Sequence, residues 1–429
     1  MKFTKIISLL LLVVMCLGVF AACGDKNNTN QGGGDDNKPK VTLTVWASQE
    51  DQAMVKEMCD AYAAANPDKT YKFLFGIQGE GDAADKVLND VTSGPDVFSF
   101  ASDQINKLYT GGALARLGGA ILDEVKANNT ADSVDAATLT IGGEDQVYAY
   151  PMTGDNNFYV YYDKRVYTDA TQLETLDGLI AGAQANQMNV QFALTNGWYL
   201  SSFFFANPDL YYKVNYDENL VEQSVEINFN NADGLDVARS VRDYYYGSNG
   251  AFVIQTDDAK ITAGFTDGTT AAAVSGIWNL KTFQGLLGDN LGVCILPKVK
   301  IGGEYVQLSG FTGYKLIGVN NFSANKGEAH KLALWLTNEA NQIKRHEVRG
   351  FGPTNKNAIA TDAVQNDPVI SVILQQAALN RPQKGVPSNF WTATEALFLP
   401  FITEERDVQT DEKLQEMLDA CVKVIKKEA

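Results

Sequence analysis

The chain has 429 residues, 45% hydrophobic and 20% charged, with 52 acidic against 35 basic side chains and a net charge of −17. That length exceeds what one hydrophobic core usually serves, since single cores stop growing at roughly 250–300 residues. So acidic a surface repels nucleic acid and anionic lipid and suits a neutral or cationic small ligand.

The chain opens with Lys2 and Lys5, then an apolar run over residues 6–20 that closes at Phe20-Ala21-Ala22-Cys23. Charge, apolar stretch and small residues, in that order, form a secretion signal. The run falls short of the about 20 apolar residues of a comfortable membrane span. A cysteine in the first mature position makes the segment resemble a bacterial lipoprotein signal. The expectation is a signal peptide over 1–22, a lipidated Cys23, and residence on the outer face of the cytoplasmic membrane, or facing a periplasm in a Gram-negative cell. Removing residues 1–22 takes two lysines and no acid, so the mature chain is more acidic still. Residues 23–40, with GDKNNTNQGGGDDNKPK after the cysteine, carry almost nothing apolar. Such a segment cannot offset its ordering entropy and reads as a disordered tether.

From residue 41 the pattern alternates. Residues 41–46 (VTLTVW) have strand period, 52–65 an amphipathic helical one, 70–75 a second strand, and 83–91 a helical pattern. Residues 96–100 (DVFSF) form a third strand entered through Gly94-Pro95, and 103–109 a short helix closed by Gly111-Gly112. The rhythm restarts with strand 157–162, helix 173–185, strand 190–194, helix 233–246 and strand 271–275; beyond 314–319 the chain reads mostly helical. Strand–helix alternation argues parallel sheets covered by helices. Ligands of such sheets bind beyond the carboxyl ends of the strands. In the first half those ends are residues 46–51 and 100–104.

No cofactor or metal site is expected. Cys59, Cys294 and Cys421 have no knuckle spacing, and Cys59 and Cys421 lie on apolar helical stripes that predict buried thiols. The two histidines, His330 and His346, sit in charged helical stretches, and no phosphate-binding GxxxxGK[ST] loop occurs.

A series of phrases then points to a family. They are Val45-Trp46, Gly94-Pro95-Asp96-Val97-Phe98, Gly112-Ala113-Leu114-Ala115-Arg116-Leu117, Tyr148-Ala149-Tyr150-Pro151, Val160-Tyr161-Tyr162-Asp163-Lys164, Phe265-Thr266-Asp267-Gly268, Gly276-Ile277-Trp278 and Asn389-Phe390-Trp391. Each is weak alone; their order and spacing over nearly the whole body resemble family 1 extracellular solute-binding proteins of sugar ABC importers, the maltose/maltodextrin-binding proteins above all. The resemblance implies an α/β fold of two lobes, each a mainly parallel sheet flanked by helices, with a ligand cleft between them. It implies a first lobe of 41–153 plus 312–360 and a second of 154–311 plus 361–429. It implies a monomer that binds an oligosaccharide, a maltodextrin foremost, hands it to the transmembrane subunits of a permease, and catalyses nothing.

A sugar ring offers apolar C–H faces and a rim of hydroxyls, so its site needs flat aromatic rings and planar acceptors. Trp198, Trp278 and Trp391 fall at element ends beside Gly, Asn and Ser, and match the family's stacking positions. Asp103 matches a sugar-binding aspartate, although at a helix start it is equally suited to capping. Phe100 matches a position where the family often has tryptophan. Asp155 matches a carboxylate near the hinge, and Glu50 stands where an aspartate is frequent. Gln104, Asp51 and Asn196 depart from a frequent arginine, lysine and glutamate, which leaves other oligosaccharides open. Trp335, on a stripe with Leu332 and Leu336, reads as core. A secreted glycoside hydrolase is the rival from another class, since Asp103, Asp155 and Glu50 supply carboxylates by count.

Overall fold

The computed structural model describes residues 38–403 and 410–428; the expected signal, Cys23 and nearly all of the tether lie outside them. Among the described residues no helix is long and apolar enough to cross a membrane.

Two sheets carry the body. In the first, strand Lys40–Ala47 runs parallel to Thr70–Ile77 and to Val97–Ala101. Strand Phe311–Val319 joins antiparallel to Val97–Ala101, and Ala149–Asn156 and Arg381–Pro382 complete its other side. Helix Gln52–Ala65 packs on this sheet through Met54, Val55, Met58, Cys59 and Tyr62, the stripe legible in the sequence. The second sheet has the order Phe252–Ile254, Asn189–Phe192, Thr270–Gly276, Phe158–Asp163, Leu291–Cys294.

Each sheet has its own core. The first is built from residues between Val41 and Met152 and again between Leu316 and Leu336. The second takes residues between Phe158 and Phe311 and from Phe351 onward to Ile425. The chain is thus two-lobed and passes between cores three times. Phe351 already packs into the second core, ahead of the expected return at 361.

The second sheet departs from the expected mainly parallel form. Strand Phe158–Asp163 runs antiparallel to both its neighbours. The cause is topological. It follows strand Ala149–Asn156 of the first sheet directly, with no element between them, and so carries the chain from the junction into the second lobe. It therefore leaves the lobe junction in the direction opposite to the strands that end there. The strands Lys40–Ala47, Val97–Ala101, Asn189–Phe192 and Thr270–Gly276 all point their carboxyl ends at that junction.

Candidate functional site

At one such end, Asn196 follows strand Asn189–Phe192 and starts helix Gly197–Phe205. Its side-chain oxygen accepts from the Trp198 N–H at 2.9 Å, an N-cap that fixes where the indole leaves the backbone. Gly197 then allows a close approach. A Cβ there would lie 1.9 Å from Thr394 Oγ1, so only glycine lets this helix lie against helix Phe390–Glu395. The approach brings Trp198 and Trp391 to a centroid distance of 6.1 Å. Both rest on Phe311 of the crossing strand: Trp198 stacks on it at 5.5 Å and 12°, and Trp391 meets it edge-on at 5.5 Å. Both indoles are half-buried. The Trp198 Nε1–H is buried and has no acceptor among the described residues.

Asp103 closes this corner from the first lobe. It sits in the 3₁₀ turn Ser102–Gln104 beyond strand Val97–Ala101. Trp391 Nε1 donates to its Oδ2 at 3.2 Å, and Gln383 Nε2 donates to its Oδ1 at 2.8 Å. Burial pushes its carboxyl up to about 7, against the pull of the Trp391 bond. Asp103 makes no capping bond to the helix that follows, so the capping reading of this residue falls away.

Trp278 occupies a second place. It follows strand Thr270–Gly276, and its Nε1 donates to Asp258 Oδ2 at 2.7 Å. Tyr199 and Ser275 donate to the same carboxylate. Over the ring lies the ammonium of Lys315, 5.7 Å from the centroid and 4.7 Å from that of Phe351. Lys315 is only 5% exposed and faces Glu80 Oε2 at 3.6 Å. Burial works against the Glu80 charge, but Lys315, with the Ser99 hydroxyl donating at 3.0 Å, holds its carboxyl below the usual range. Asp51 is buried beside this cluster, with Arg349 at 3.5 Å and Arg345 at 3.8 Å.

Two of the expected contacts do not stand. Phe100 is fully buried in the first core, tilted against Phe98, because strand Val97–Ala101 is covered on both faces. Asp155 is also fully buried. Thr153 Oγ1 donates to its Oδ1 at 2.7 Å and the Gly352 N–H to its Oδ2 at 2.6 Å, so it ties its own strand to the later crossing segment at Gly352 rather than facing the cleft. Glu50 lies exposed in the turn Gln49–Asp51, apart from the tryptophans' contacts. Gln104 accepts from the Ala84 N–H and donates to the carbonyls of Glu80 and Gly81, a tie within the first lobe. Trp335 packs on the first core and donates to the Met58 carbonyl. Lys315 and Glu80 were missed. Lys315 had a legible signal, a lone charge in the apolar strand Phe311–Val319; Glu80, in a polar turn, had none.

A cavity of about 250 Å³ opens beside Asp103 and Trp391. A larger hollow of about 680 Å³ lies on the second lobe between helices Leu176–Ala185 and Ala232–Gly247, and none of the three tryptophans lines it.

Residues 57–371 match the model of the bacterial extracellular solute-binding proteins. The chain belongs to this family. Among curated relatives it is 24% identical over 421 residues to a galactooligosaccharide-binding protein of Bacillus subtilis, covering 95% of this chain and 94% of that one. It is 21% identical to a maltotriose-binding protein of Pyrococcus abyssi, covering 76% of this chain and 70% of that one. A solved structure with acarbose matches at a TM-score of 0.79 and 30% identity over 91% of this chain and all (100%) of that chain. The maltodextrin-binding protein MalE1 of L. casei, solved without ligand, matches at a TM-score of 0.70 and 23% identity, with 90% and 99% covered. Members of this family bind solutes, and their place is outside the cell or in the periplasm.

Proposed function

We propose that this solute-binding protein captures uncharged oligosaccharides between its lobes and delivers them to the membrane subunits of an ABC importer. One observation carries the reading: two half-buried indoles of the second lobe lie 6.1 Å apart, and one of them, Trp391, donates to the first-lobe carboxylate of Asp103. Indole faces suit the C–H face of a pyranose. The oxygens of Asp103, which is only partly buried, suit its hydroxyls. Trp278, under Lys315, supplies a second aromatic wall. Of the ligands named for the relatives, galactooligosaccharides and maltodextrins are the two classes to compare. The chain is held at the outer membrane face through Cys23, works as a monomer, and turns nothing over. The hydrolase reading needs two carboxyl groups flanking a bond, and Asp155 is fully buried, away from any bound chain.

The test is a titration of tryptophan fluorescence with both oligosaccharide classes. Trp391→Ala should weaken the bound sugar by about tenfold or more, roughly the 1.4 kcal/mol that a stacked ring supplies. Equal affinity in the parent and the variant removes the platform. Release of reducing sugar from any of these ligands would end the binding-only reading.

A further inference from the structure

The hairpin of strands Tyr212–Tyr216 and Glu222–Ile227 belongs to the second lobe, where Val225 and Ile227 are core residues. Its turn does not stay there. Leu220 packs against the core of the first lobe. It does so with φ at 62°, in the left-handed region that suits glycine or asparagine and that a leucine rarely adopts. Asp217 Oδ1 holds the turn in shape, accepting from the N–H groups of Asn219 and Val221, each at 2.9 Å. Glu222 anchors its foot beside Trp391: it accepts from the Ser388 N–H at 2.8 Å and from the Ser388 hydroxyl at 3.1 Å, and pairs with Lys427 at 2.9 Å.

The hairpin therefore bridges the two lobes beside Asp103 and Trp391. The 250 Å³ cavity lies beneath it, walled by Asp103, Asn106, Trp391, Tyr216 and Leu220. The side chains of Asn106 and Tyr216 hydrogen-bond each other within this wall.

We infer that the turn around Leu220 is a stop that sets the longest oligosaccharide the cleft accepts. The inference rests on the oligosaccharide reading of the cleft. A longer chain could seat only by lifting Leu220 off the first lobe, exposing its side chain and the core beneath it. Affinity should rise with chain length until the corner is filled, then fall.

Calorimetric titration of the full chain with a ladder of linear oligosaccharides of increasing length tests this. Leu220→Gly and Leu220→Asn both fit the left-handed backbone and remove the apolar tip, so two independent variants keep the test alive if one folds poorly. The expected result is a parent that loses affinity beyond an optimal length. In the variants, the affinity for the longest chain relative to the optimum should rise about tenfold. A parent with no optimum, or variants that keep the parent's length profile, overturns the stop while the oligosaccharide reading stands. A parent that binds no oligosaccharide of either class removes both.

Discussion

Asp103 is the residue at which the first lobe meets Trp391 of the second. Its carboxyl accepts from Gln383 and Trp391, and burial pushes it up to about 7, against an ordinary value near 4. The sign follows from where the proton is held. The folded chain keeps this proton to higher pH than the unfolded chain, so the stability linked to Asp103 is full below pH ~4 and is lost as pH rises through about 7. Ligand binding runs the other way. Hydroxyls donating to the carboxylate favour its ionised form. Affinity for an uncharged sugar should be highest above pH 7 and fall as pH drops, approaching roughly tenfold per pH unit. Asp103→Asn should flatten that profile, and fluorescence titrations of the parent and this variant across the range decide it. Parallel profiles would place the titrating group elsewhere. The position of Asp103 beyond a strand end was legible in the sequence, and its part in the site was implied only by the family resemblance. Asp155 looked similar and is not, because its partner Gly352 lies 197 positions away and no local pattern announces it. Phe100 misled for a related reason. A strand covered on both faces hides every side chain, and a match of position does not report which strands are covered.

Among the elements, the junction of helices Gly197–Phe205 and Phe390–Glu395 is what makes a platform of two separate tryptophans. Gly197 is the small residue at the crossing, facing Thr394, with Trp391 Cε3 3.4 Å from where its Cβ would stand. Gly197→Ala should force the helices apart or push Thr394 from its place. Overpacking of this kind costs roughly 1–3 kcal/mol. The expected outcome is a lowered thermal midpoint together with weaker sugar binding, because the separation of the two rings is reset. A variant with the lowered midpoint and full affinity would show that the rings act independently. The alternation of strand and helix was plain in the sequence, since periods of two and of about 3.6 residues are local properties. The direction of strand Phe158–Asp163 was not, because it depends on what connects the strands. Nor was the reach of the Tyr212–Ile227 hairpin legible, because its target lies in the other lobe.

For the whole molecule, the question is how so acidic a chain selects its ligand. Few of the charged side chains among the described residues are buried, so the excess of acid there lies mostly on the surface. At the junction the buried charges are balanced: the carboxylates of Asp51, Glu80 and Asp155 are set among Lys315, Arg345 and Arg349. Asp103 stands outside that set, its carboxyl pushed up to about 7 by burial. A polyamine would need several free carboxylates facing it, whereas these are already compensated. A sugar needs none beyond hydroxyl acceptors. Salt separates the two ligand classes. A cation drawn by the field of the whole chain loses that attraction as the Debye length shrinks from about 30 Å at 0.01 M to about 3 Å at 1 M. An uncharged oligosaccharide has no such attraction to lose. Its affinity, measured by calorimetry at low and high salt, should stay nearly constant, and polyamines should give no specific heat at either. A solute whose affinity collapses with added salt would instead make the acidic surface part of the recognition, and the tryptophan pair a wall of the cleft rather than the feature that selects.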